Sequence, residues 1–116
     1  MLEVIIIIMD KLEELKNRVR KFNDDRDWGQ FHTPDNLAKS IAIEASELLE
    51  CFQWSSKDFN KQDVCEEMAD VYTYLLDLAD VLDVDLIDIT NDKMIKNEKK
   101  YPIEKAKGNS NKYTKL

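Results

Sequence analysis

Two short acidic motifs, Glu44-x-x-Glu47 and Glu67-x-x-Asp70, hold the residues of this chain whose types and spacing could do chemistry. Carboxylates are hard oxygen donors, and residues three apart on a helix stand one turn apart on one side of it. At 3.6 residues per turn each residue advances about 100°. With Glu44 at the origin, Glu47 falls near about 300°, and Leu37, Ile41, Ala45, Leu48 and Phe52 occupy roughly 20° to 100°. With Glu67 at the origin, Asp70 again falls near about 300°, and Val64, Met68, Val71, Leu75, Leu78 and Leu82 fill the same sector. Cys51 and Trp54 fall on the acidic side of the first helix, and Tyr74 and Asp77 on that of the second. Each helix thus carries an acidic ridge beside an apolar stripe, in the same rotational sense. Packed antiparallel through the stripes, the ridges converge on one cleft.

Four carboxylates gathered in a partly dry cleft repel one another. Either some take up protons or hard cations sit between them. Oxygen-only ligands on rigid helices suit Mg²⁺, with Mn²⁺ as a substitute. Di-iron carboxylate bundles use Glu-x-x-His, and His32, the one histidine, is not placed to supply it. Glu-x-x-Glu is also common on solvated helix faces, so a purely structural ridge stands as the alternative. Glu66 reads as a cap and Glu50 as surface.

The elements that must carry these motifs are helices. The chain has 116 residues, the length of one domain, with only two glycines and two prolines. Hydrophobic residues make up 43% and charged residues 35%, a globular composition with a heavily charged surface. A formal net charge of −7 argues against general nucleic-acid binding, which needs Lys and Arg against phosphates. Handling a polyphosphate with this charge requires bridging cations. Cys51 and Cys65 match no zinc spacing and read as free thiols in a reducing, cytoplasmic setting.

The stretch from Leu2 to Met9 is apolar apart from Glu3 and too short to span a bilayer. It lacks the basic region and cleavage site of a signal peptide. It reads as a leader of residues 1–9, either an extra strand or an arm on a neighbour, with Met9 as an alternative start. Asp10 and Glu13 have capping-box spacing and predict a first helix ending near Asn23 to Asp25. An ordered loop then runs to His32. Thr33-Pro34 starts the second helix, which runs to about Phe52. After a polar loop, Asp63 and Glu66 predict the start of the third helix, ending near Leu82. Asp85 caps a fourth, which ends near Lys100 before Pro102. Residues 104–116 read as a mobile polar tail.

Several stretches resemble one family, the all-α MazG-like nucleoside triphosphate pyrophosphohydrolases, in the dCTP pyrophosphatase-like branch. They are the paired acidic motifs, the run RDWGQFHTP from Arg26 to Pro34, Phe52-Gln-Trp54, Asp70-Val-Tyr-Thr-Tyr74, Lys93-Met-Ile-Lys-Asn97 and Lys100-Tyr-Pro102. The resemblance covers residues 10–103 and implies an oligomeric bundle of four to five helices, with a tetramer built as a dimer of dimers. It implies that Glu44, Glu47, Glu67 and Asp70 hold Mg²⁺ and that one glutamate orients or deprotonates the attacking water. It implies that Lys93 and Asn97 reach the triphosphate or sugar, with Lys96 or Tyr101 in support. Trp28, His32, Trp54 and Tyr74 would form the base and sugar pocket. The implied reaction splits a (d)NTP, dCTP or a modified dCTP first, into the monophosphate and pyrophosphate. dUTP, a purine triphosphate or phosphoribosyl-ATP are the alternative substrates, and a non-enzymatic helical assembly module is the alternative class. On bland grounds Trp28 and Trp54 are loop anchors, His32 is a hydrogen-bonder at the second helix and Tyr74 is core edge.

Overall fold

The computed structural model describes the backbone of the whole chain and the side chains of residues 1–4 and 11–116. The side chains of residues 5–10 fall outside the description, and with them the reading of Asp10 as a cap; the leader, expected as a strand or an arm, is backbone helix from Leu2. The described residues form helices and no strands: α1 (Leu2–Asp25), a 3₁₀ turn (Trp28–Phe31), α2 (Pro34–Glu50), α3 (Lys61–Val81), α4 (Leu86–Lys100), α5 (Ile103–Ala106) and a final 3₁₀ turn (Tyr113–Lys115). The first helix therefore begins at Leu2 and not at Asp10. Among the described residues, no helix is long and apolar enough to cross a membrane.

Local chemistry sets the remaining boundaries. Thr33 Oγ1 accepts from the Asn36 amide, and Pro34 occupies the first turn of α2, where a missing N–H costs nothing. α3 starts three residues earlier than a cap at Asp63 suggests. Asn60 is its cap, with Oδ1 accepting from the Asp63 amide at 3.1 Å, and Asp63 becomes the acidic residue of the first turn. Asp85 caps α4 as expected, accepting from the Ile87 and Asp88 amides at 2.8 and 3.0 Å.

The chain divides into two compact units, Met1–Asp83 and Val84–Leu116. In the first, α2 packs chiefly on α3, and α1 also lies against α3. The apolar residues at the centre are Leu37, at 1% exposure, Leu76 at 5% and Ala79 at 8%. Leu37 belongs to the expected stripe. Leu76 and Ala79 do not, because α3 is covered by α1 as well as by α2. Ala45, Met68 and Leu82, expected in the core, are exposed instead. In the second unit, Tyr101 meets Tyr113 edge to face at 6.0 Å, and the Lys100 ammonium sits 4.9 Å over the Tyr113 ring. Residues 104–116, expected as a mobile polar tail, include most of α5 and the final 3₁₀ turn, whose Tyr113 makes this aromatic contact.

Candidate active site

The two acidic motifs meet. Glu44, Glu47, Glu67 and Asp70 each offer one carboxylate oxygen, and these oxygens all lie within 4.8 Å of one another. The glutamates at the inner positions, Glu44 and Glu67, are half-buried, while Glu47 and Asp70 are exposed. Oε2 of Glu44 and Oε2 of Glu67 are buried without any hydrogen-bond partner. Buried polar atoms are nearly always paired, so two orphans in one cluster mark places for a missing donor or cation. The electrostatics agree. Burial first, then the approach and charge of Glu47 and the charges of Asp70 and Glu67, push the Glu44 carboxyl up to about 7. Burial, followed by Glu47 and Asp70, also raises Glu67. A set of four hard oxygens with two orphaned lone pairs and a proton held near neutral pH fits a divalent cation.

Beside this cluster α1, the 3₁₀ turn, α2 and α3 enclose a cavity of about 410 Å³. Glu44 and Asp70 form part of its wall, so it opens onto the carboxylates. Asp27, with φ 54°, turns the chain after α1, and Gln30 Nε2 donates to its carbonyl at 2.9 Å. That turn aims Trp28 into an aromatic series: Phe22 meets Trp28 edge to face at 5.4 Å, and Trp28 meets His32 at 6.5 Å. Trp28, His32 and Tyr74 all line the cavity. Burial, followed by the charge of Glu44, raises the Tyr74 phenol.

Three of the four residues expected to form the pocket are therefore together. Trp54 is not among the walls; it stands 90% exposed on the loop after α2, where Phe52 packs on Phe59 at 4.9 Å. Lys93, Lys96 and Asn97 lie on α4 and Tyr101 at its C-cap, in the second unit. Seven cavity residues were not site candidates from the sequence, Asp77 and Asn23 among them. Asp77 falls on the acidic side of its helix, two turns beyond Asp70, and that periodicity was the available signal. Asn23 carried none, since it reads as the end of a helix. The cysteines are free, and Cys51 donates weakly to the Glu47 carbonyl at 3.6 Å. Burial, then the charge of Glu67, pushes the Cys51 thiol up and keeps it protonated.

A MazG-like family model matches residues 39–116, a span that includes all four carboxylates. The chain belongs to the MazG-like family. Among curated proteins this MazG-like chain is similar to human dCTP pyrophosphatase 1, at 36% identity over 114 residues, covering 90% of this chain and 67% of the relative. The rat protein of the same name gives the same values, and the bovine one is 34% identical. Among solved structures it resembles a pyrophosphatase from Archaeoglobus fulgidus, with 47% identity and a TM-score of 0.74, covering 78% of this chain and 92% of that one. The all-α MazG-like bundle follows from both.

Proposed function

We propose that this protein is a Mg²⁺-dependent nucleoside triphosphate pyrophosphohydrolase acting on dCTP or a modified dCTP. The observation that carries the proposal is the convergence of Glu44, Glu47, Glu67 and Asp70, with two orphaned oxygens, at the mouth of an aromatic-walled cavity. The similarity to dCTP pyrophosphatase 1 of several mammals supports both the reaction and the base. In this reading a water oxygen attacks the α-phosphorus and the bond from that phosphorus to the oxygen bridging it to the β-phosphate breaks. The products are the nucleoside monophosphate and pyrophosphate. Phosphoryl transfer of this kind rests on positioning and charge neutralisation more than on covalent chemistry.

The four carboxylates would hold Mg²⁺ or Mn²⁺, which supplies the positive charge that a chain of net charge −7 needs beside a polyphosphate. A glutamate of the set orients the water and accepts its proton. Trp28, His32 and Tyr74 hold the base and sugar, because an aromatic face stacks on any base. The family resemblance also assigns substrate contacts to Trp54 and to Lys93, Asn97 and Tyr101. Exposed Ile43, Leu49 and Met68 on α2 and α3 favour a homo-oligomer, and the dimer of dimers is what the family resemblance implies. Pool sanitation in the cytoplasm is the corresponding role.

The test is an assay of pyrophosphate release from each dNTP with Mg²⁺. Release of pyrophosphate, dCTP first, is expected; orthophosphate alone, or no product, refutes the reaction. Glu47→Gln and Asp70→Asn should each lower turnover by two orders of magnitude or more while helical content stays intact. An unchanged rate would remove the carboxylates from the mechanism.

A further inference from the structure

Asp77 is the one charged side chain buried among the described residues, at 6% exposure. Its Oδ1 accepts a hydrogen bond from Asn23 Nδ2 at 2.9 Å, which fixes it between α3 and α1. Among the described residues no lysine or arginine forms an ion pair with it. A buried carboxylate with one neutral partner is costly, so such a group is kept where something else completes it. Both Asp77 and Asn23 line the cavity that also holds Glu44 and Asp70.

α3 sets the spacing along the cavity wall. Asp70 and Asp77 are seven residues apart, so they share a face and stand about 10 Å apart along the axis. Thr73 and Tyr74 line the wall between them. With a triphosphate held at the Asp70 end, sugar and base extend along this wall toward Asp77. Trp28 and His32 offer ring faces for stacking, but stacking does not choose among bases. A carboxylate does choose, because it only accepts hydrogen bonds. Cytosine and adenine present an amino group at the edge where thymine presents a carbonyl oxygen. Uracil shares that carbonyl. An oxygen there would face the carboxylate lone pair to lone pair and leave a buried charge unpaired.

We propose that Asp77, positioned by Asn23, reads the exocyclic amine of the nucleobase and makes this site discriminate amino-bearing bases from uracil and thymine. The inference rests on the nucleotide reading of the cavity given above.

Two arms test it. In the first, the unaltered protein is given dCTP, dUTP and the deoxynucleoside triphosphate of 2-pyrimidinone, which is cytosine without its amine. Loss of that amine should lower kcat/KM by at least about tenfold, the range for a hydrogen bond to a buried charge. Equal kcat/KM for dCTP and the 2-pyrimidinone analogue, or a preference for dUTP, overturns the assignment. Asp77→Asn keeps the size of the side chain and should shrink the dCTP-to-dUTP ratio by a similar factor. An equal loss on both nucleotides, with the ratio kept, makes Asp77 a structural group and overturns the proposal. In the second arm, calorimetry compares dCMP and dUMP binding to the unaltered protein. Tighter binding of dCMP by about tenfold, abolished in Asp77→Asn, without any turnover would uphold Asp77 and refute hydrolysis instead; a preference that survives in Asp77→Asn overturns the assignment. Equal binding, or binding of neither, overturns the base assignment.

Discussion

Replacing Glu44 by glutamine keeps the shape of the side chain and removes its charge. Without divalent cation, the four carboxylate oxygens lie within 4.8 Å of one another. Two unit charges at that separation repel by about 0.9 kcal/mol at the dielectric constant of water and about 3.5 kcal/mol at an effective value of 20. Glu47 and Asp70 are exposed, so the lower figure governs. In EDTA near pH 8 the variant should be more stable than the wild type by about 1 kcal/mol, roughly 4 °C in Tm for a domain of this size. The pH dependence has a definite sign. The folded state raises the Glu44 carboxyl from its ordinary 4.5 to about 7 and so holds that proton more tightly than the unfolded chain does. The stability this contributes is full below 4.5 and is lost as pH rises through about 7. The advantage of the variant should therefore vanish near about pH 5, where the wild-type carboxyl is itself neutral. Mg²⁺ at a hundredfold excess over Kd should stabilise the wild type near pH 8 by about 2.7 kcal/mol, and the variant by much less. Thermal melts of both proteins across pH, in EDTA and in Mg²⁺, read all of this. A variant that melts below the wild type in EDTA near pH 8, or one with an undiminished Mg²⁺ response, would refute the reasoning.

Two further outcomes concern the frame that holds the site. Leu37→Ala deletes the most buried apolar side chain of the first unit and should cost about 2–5 kcal/mol, read from the urea midpoint. A cost below about 1 kcal/mol would mean that α2 and α3 do not close around it. Thr33→Ala removes the α2 cap and should cost about 1 kcal/mol while leaving the Mg²⁺ response in place. No change in Tm would show that the Thr33 hydroxyl does not cap the helix.

The sequence by itself determined the helices and the carboxylates. Hydrophobic period, caps at Thr33 and Asp85, and the scarcity of glycine and proline are local signals, and helix formation answers to local signals. The matched angular offset of the two acidic motifs was legible for the same reason, since a straight helix carries spacing into direction. The resemblance to the family rests on local stretches, Arg26–Pro34 and Phe52-Gln-Trp54 above all, that need no tertiary contact to be read. Where local signals compete, the boundary moves: Asn60 takes the α3 cap in place of Asp63, and α1 begins eight residues before Asp10. Only tertiary structure decided which faces were covered. A second helix lying on α3 buried Leu76 and Ala79 and left Met68 and Leu82 outside, an outcome no single-helix pattern contains. It also decided the protonation of the acidic cluster, because Glu44 is raised by burial and by charges from another helix. And it brought Asn23 from the end of α1 to Asp77 on α3, 54 residues apart in the chain. A group at that distance acquires a role only when the chain folds.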